Sequence, residues 1–202
     1  MKDPANLRRV EAAKNLTVPH LDNWPLIINR KKQYPGCEWQ RWTHPDYTKP
    51  RHTFVDDWRL ETIWRAPYYQ VDRVILARWA MTPDFTIETY HSYYFTAWQI
   101  YRSRLIGAYW QQHLIHVIPV LQWGNPEYLD LTLAGLRHCQ IVAVRSPTRH
   151  SEREWFKVAE RINHALPGRL VLHFGKKDGL SVWDNALHLR LDPDQRNRKT
   201  AM

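Results

Sequence analysis

Three aspartates stand where short apolar runs end. Thr53-Phe54-Val55 closes on Asp56 and Asp57, and the stretch that starts at Val74-Ile75-Leu76 closes on Pro83-Asp84-Phe85. Carboxylates grouped in this way suit a divalent cation such as Mg²⁺ or Mn²⁺, or shared general acid–base work. Asp56, Asp57 and Asp84 are therefore the candidate catalytic and metal-ligating residues. Arg104, Arg145 and Lys176 are the candidate anion-binding residues, because guanidinium and ammonium groups at strand ends can hold a phosphate or carboxylate. Gln122, Trp123, Trp98 and Tyr101 are the candidate pocket lining. A plainer reading stands beside this one: an aspartate at a helix start caps the first turn, and its neighbours pair with Arg59 or Arg104. Arg104 lies three residues after Tyr101 on an apolar helix face, so it should be at least half buried and paired with Asp57, Asp84 or Glu61.

Other chemistries find little support. The chain contains no G-x-x-x-x-G-K-[ST], no G-x-G-x-x-G and no G-x-S-x-G, which removes the main sequence arguments for nucleotide-loop and serine-hydrolase chemistry. Its 11 histidines are scattered, and none has convincing zinc spacing.

The elements that must position these residues read as alternating strands and helices. Trp24–Ile28, a run ending at Asp57, a run ending at Asp84, His116–Trp123, Ile141–Ser146, Leu170–Phe174 and Ala186–Leu191 read as strands. The clearest helix spans about Glu88 to His113, with Tyr90, Tyr94, Ala97, Trp98, Tyr101 and Leu105 at spacings of three and four. Glu127–Leu136 reads as another helix. Ser151 and Glu154 form a capping box that opens a third, which Pro167-Gly168 ends. The distances between strand ends are those of βα units. They imply an α/β fold with a mainly parallel sheet, its strands near 53–57, 117–122, 141–145 and 170–174 side by side and covered on both faces. The chain is too short for eight βα units, which leaves an incomplete or reduced barrel-like sheet or an open doubly wound one. The expected organisation is a basic arm and aromatic loop packed on the core over 1–52, an α/β core domain over 53–191, and a polar tail over 192–202.

Composition sets the wider frame. Of 29 Lys and Arg against 20 Asp and Glu, the N-terminal quarter carries a disproportionate share, which suits contact with phosphate. Weak, salt-sensitive nucleic-acid binding that depends on residues 1–52 is expected. The 11 Trp and 10 Tyr exceed the needs of a core of this size, so some rings should line a pocket or an interface. Two cysteines, Cys37 and Cys139, form no metal or disulfide pattern. The N-terminal residues carry charges throughout and lack the apolar core of a signal peptide, so a cytoplasmic setting is expected. No membrane partner is expected: the uncharged run from Leu105 to Pro126 contains Gln111, Gln112, His113, His116 and Gln122.

Several segments in order resemble a known family. They are Phe54-Val55-Asp56-Asp57-Trp58-Arg59-Leu60-Glu61 with Trp64 and Pro67, then Pro83-Asp84-Phe85, the Trp98/Tyr101/Arg104 helix running into Gly107-Ala108-Tyr109-Trp110-Gln111, and Val117-Ile118-Pro119 closing on Gln122-Trp123. Over roughly residues 53–146 this order is similar to a domain-of-unknown-function family of bacteriophages, prophages and bacterial mobile elements. The resemblance implies a compact α/β fold in a phage setting and attaches no reaction. Three functions follow as alternatives: a protein that binds nucleic acid or another anionic ligand, a metal-assisted hydrolase or nuclease using the strand-end carboxylates, and an interaction module that inhibits a host protein.

Overall fold

The computed structural model describes residues 16–146, 152–175 and 181–189. A two-residue antiparallel pair, β1 (His20–Leu21) and β2 (Trp24–Pro25), precedes the main sheet. The main sheet then runs in chain order with every strand parallel. Its first part is β3 (Gln40–Arg41), β4 (Arg51–His52), β5 (Trp79–Met81) and β6 (His116–Ile118). Its second part is β7 (Ile141–Arg145), β8 (Leu170–Phe174) and β9 (Ala186–Leu189). A parallel bridge between Val120 and Ala143 joins the two. There Leu121 N–H donates to the Ala143 carbonyl at 2.8 Å, and Ala143 N–H to that of Pro119 at 2.9 Å. Toward the amino end β6 and β7 diverge, and Asn29 fills the gap. Its amide nitrogen donates to the carbonyls of Val117 and Ile141, and its oxygen accepts from the N–H groups of Gln140 and Ile141. All four hydrogen-bonding positions of that buried side chain are used.

Side-chain alternation along the strands separates two cores. Ala80, Val117, Val142, Val144 and Val171 face the helices. These are α1 (Asp57–Arg65), α4 (Tyr93–Gln112) and α6 (Glu152–Ala165), which contribute Leu60 and Ile63, Leu105 and Ile106, and Val158 and Ile162 to that core. Two single-turn helices, α2 (Pro67–Gln70) and α3 (Asp72–Ile75), lead from α1 into β5, and the short α5 (Leu129–Leu133) lies between β6 and β7. The opposite residues, Trp79, Met81, Ile118, Val120, Ile141, Ala143, Leu172 and Phe174, cluster with Trp39 and Phe54, and among the described residues no helical one joins them. This face therefore packs against itself. The ring of Phe174 on β8 lies 4.9 Å from Phe54 and 5.4 Å from His52, across a sheet in which β5, β6 and β7 stand between. The sheet is curled and barrel-like, the described strands do not close, and the described helices cover its convex face alone. Helices on both faces, as a doubly wound sheet requires, are not what these residues build.

Several elements lie elsewhere than the apolar pattern predicts. The run before Asp57 is not strand. Pairing ends at His52, where Val55 N–H turns back to the Thr53 carbonyl and the Thr53 hydroxyl donates to the Thr82 carbonyl. Asp57 is the first residue of α1. Val74-Ile75 belongs to α3, and the strand follows at Trp79. The long helix begins at Tyr93, because the Ser92 hydroxyl accepts from Phe95 N–H and caps it. Only Trp24–Pro25 of the first expected strand is strand, and it pairs with β1 outside the main sheet. The Ser151 capping box lies outside the described residues. Among the described residues, no helix is long and apolar enough to cross a membrane.

Candidate functional site

The carboxyl ends of the parallel strands form a mouth, and the concave face supplies its floor. Arg41 and His52 are register partners on β3 and β4. Phe54 follows two residues on, and Arg145 ends β7 in line with Ile141 and Ala143. These residues, with Thr43, Val55, Asp56, Asp57, Arg59 and Thr86, line a cleft of about 530 Å³.

The three aspartates of this region take different roles. Asp57 accepts hydrogen bonds from the N–H of Thr86 at 3.1 Å and from its hydroxyl at 2.9 Å, fastening the loop after β5 to the start of α1. Asp56 is exposed and pairs with Arg59 at 3.6 Å, and Arg59 stacks on Trp58. Asp84 is largely buried, at 4.0 Å from the Arg145 guanidinium. Burial pushes its carboxyl up to about 6, with Arg145 opposing the shift and Asp57 adding to it. The structure thus brings Asp57 and Asp84 together and leaves Asp56 outside as a surface ion pair. Among the described residues, no group of three His, Cys, Asp or Glu side chains could hold a metal ion. The expected three-carboxylate metal centre is not formed, because hydrogen bonds to Thr86 and the ion pair to Arg59 draw two of its members away.

Arg104 is fully buried, as its place on the helix predicts, but its partners are carbonyls. Nη1 donates to Val120 O at 3.0 Å and Nη2 to Thr132 O at 3.4 Å. Burial lowers it to about 10, where it remains a cation at neutral pH. The expected ion pair belongs instead to its neighbour: Arg102 meets Glu61 at 2.7 Å. Arg104 is not among the residues that line the mouth. Gln122 is buried, donating to the Phe85 carbonyl beside Asp84. Trp123 lines a separate pocket of about 590 Å³ with Asn125, Trp155, Lys157 and Arg161. Trp98 and Tyr101 lie in neither. They stack on each other, Trp98 edge-on to Trp64 and Tyr101 beside Trp24. Lys176 lies outside the described residues.

The residues that sequence reasoning missed are His52, Arg41 and Phe54. They sit on or next to two-residue polar strands, where no alternating pattern exists to be read. His52 is 2% exposed, and neither ring nitrogen has a hydrogen-bond partner among the described residues. Burial, then Arg41, Arg145 and Arg51, push it down to about 3, so the ring is neutral. A second missed contact joins Ser146 Oγ to His173 Nε2 at 3.0 Å, beneath Gly175.

At the opposite, amino edge of β7 and β8 lies a groove of about 690 Å³. Arg30, Lys31, Arg137, His138 and Arg169 line it, and among the described residues no carboxylate does. Arg169 braces the turn before β7 by donating to the carbonyls of Cys139 and Arg137. That turn presents Arg137 and His138 outward, facing Arg30 and Lys31, and all four line the open groove. Cys139 beneath them is buried, its thiol donating to the Ile27 carbonyl and pushed up to about 12 by burial.

A family model described as a domain of unknown function, DUF4417, matches residues 11–187. The match extends on both sides of the 53–146 region that carries the resemblance in the sequence, and takes in β1 to β4. The chain is similar to the "Gene 1 protein" of Mycobacterium phage L5, 35% identical over 147 residues, covering 68% of this chain and 64% of that protein. It is also similar to the "Gene 1 protein" of Mycobacterium phage D29, 35% identical over 138 residues, covering 65% of this chain and 51% of that protein. The matches thus span between about half and two thirds of these relatives. No solved structure matches.

Proposed function

The chain belongs to the DUF4417 family, a domain of unknown function shared with phage proteins, and from that premise we propose that it binds nucleic acid by its phosphate backbone, in a cytoplasmic setting. One observation carries this reading: the amino-edge groove gathers Arg30, Lys31, Arg137, Arg169 and His138 with no carboxylate among the described residues that line it. A row of cations without counter-charge attracts a polyanion by releasing its condensed counterions, and needs no base recognition to do so. Lys32, next in sequence to Lys31, is also exposed. Two of the N-terminal quarter's basic residues, Arg30 and Lys31, line this groove with Arg137 and Arg169 from the core, which supports the reading. Two free cysteines, one buried, accord with a reducing compartment.

The metal-assisted hydrolase reading loses its third carboxylate. The nucleic-acid reading is tested by fluorescence anisotropy with labelled single- and double-stranded oligonucleotides at low salt. Arg30, Lys31 and Arg137 are changed together to Gln. All three are exposed, so the change should leave folding within about 0.5 kcal/mol. The wild type should bind and the triple variant should lose most of that affinity, while Arg145→Gln at the mouth leaves it intact. A triple variant that binds as well as wild type would remove the proposal.

A further inference from the structure

We propose that the mouth of the curled sheet is a second binding site, for a small ligand bearing a terminal phosphate, whose oxygens are taken by the imidazole of His52 and the guanidiniums of Arg145 and Arg59. The site is independent of the amino-edge groove: it lies at the other end of β7, roughly 13 Å away along a five-residue strand.

The argument begins with His52. A buried imidazole whose two nitrogens lack partners is costly, and such groups in native structures call for an explanation. His52 is among the residues that line the cleft, with both ring nitrogens covered from solvent, so a ligand oxygen reaches them as the side chains around the cleft shift. Burial, and then the charges of Arg41, Arg145 and Arg51, hold the imidazole neutral, and a neutral ring offers one N–H donor to an oxygen anion. The positive charge that adds to the effect of burial favours an anion beside the ring.

The neighbouring cations are loosely engaged. Arg145 meets Asp84 only at 4.0 Å, and Arg59 meets Asp56 at 3.6 Å through Nε. Both therefore keep N–H donors for a tetrahedral anion. Thr43 also lines the cleft, and the Phe54 ring, 5.7 Å from the Arg145 guanidinium, supplies an apolar wall. About 530 Å³ is the size of a small-molecule pocket. A terminal phosphate offers three oxygens to these donors, whereas a phosphodiester inside a chain offers two and is flanked by sugars on both sides.

The test titrates the full chain with inorganic phosphate and with a nucleoside 5′-monophosphate, by calorimetry and by ¹H–¹⁵N correlation of the histidine rings. One site should saturate, and the His52 ring resonances should shift with it. Arg145→Gln, at a partly exposed position, should weaken binding about tenfold or more, equivalent to about 1.4 kcal/mol. The Arg30/Lys31/Arg137→Gln variant should bind both probes as wild type does. Absence of binding by either probe, binding that leaves His52 unmoved, or binding abolished in the groove variant and kept in Arg145→Gln would overturn the proposal. None of these outcomes bears on whether the groove binds oligonucleotides.

Discussion

Arg104 illustrates what a single buried side chain does in this molecule. Its guanidinium ties the carbonyl of Val120, beside the bridge between the two halves of the sheet, to that of Thr132 in α5. Arg104→Ala leaves two carbonyls unpaired and a cavity, and should cost about 3 kcal/mol in urea unfolding. A loss under about 0.5 kcal/mol, the usual surface value, would contradict the placement. That Arg104 is buried is legible from its helical spacing. Its partners are not, since both carbonyls come from distant segments and no residue type marks them. The buried ionisable groups give a second expectation. His52, held at about 3 by burial and its arginine neighbours, takes up a proton near 6.5 only when unfolded. Stability therefore falls as pH drops below about 6.5, by up to about 1.4 kcal/mol per unit for that residue. His173, lowered to about 4 by burial and then by His188, acts in the same direction. Asp84, raised from 3.8 to about 6, acts in reverse: its contribution is full below the unfolded value and lost as pH rises through the folded one. Between about pH 4 and pH 6 it offsets one histidine. Asp84→Asn should make the loss of stability on acidification steeper over that range, read as urea midpoints. An unchanged steepness would mean that Asp84 is ionised in the folded protein there.

At the scale of the element, the seam between α4 and the sheet is set by a missing side chain. A Cβ on Gly107 would lie 2.6 Å from Thr82 Cγ2, 2.8 Å from Ile27 Cδ1 and 3.1 Å from Val117 Cγ1. Alanine gains about 1 kcal/mol of helix propensity over glycine, while overpacking of this kind costs about 1–3 kcal/mol. The clash involves three side chains on three segments, so overpacking should win, and Gly107→Ala should lower stability by about 1 kcal/mol in thermal or urea unfolding. A stabilised variant would mean that α4 sits farther from the sheet. Legibility also divides by element. The five-residue strands Ile141–Arg145 and Leu170–Phe174 are found at their sequence positions because their apolar runs are long enough to declare themselves. Gln40–Arg41 and Arg51–His52 are too short and too polar to show a period, yet they carry the mouth. For the same reason Asp56 and Asp57 look like the end of a strand when they are the start of a helix. The three-and-four spacing of rings carries past the true start of α4, since Tyr90 lies in the turn that Ser92 closes.

For the whole molecule, the parallel order gives the sheet two unlike ends. At the carboxyl end, arginines, a neutral histidine and the carboxylates of Asp56 and Asp57 line a cleft, with Asp84 beside Arg145. At the amino end, an open groove gathers cations, with no carboxylate among the described residues that line it. The α/β class and the mainly parallel sheet are legible from the spacing of βα units, but that spacing leaves both a barrel-like and a doubly wound sheet, and only the chain order of the strands and their curl decide between them. The groove is not, since Arg30 and Lys31 reach Arg137 and Arg169 only after Asn29 locks the first segment between β6 and β7. The central claim, that this groove holds a nucleic-acid backbone, is tested most directly by the salt dependence of duplex binding from about 50 to 200 mM. Log affinity should fall linearly with log salt, and changing Arg30, Lys31 and Arg137 to Gln should reduce that slope by about 0.9 for each phosphate no longer neutralised. A wild type whose binding is insensitive to salt, or a triple variant with an unchanged slope, would contradict the account.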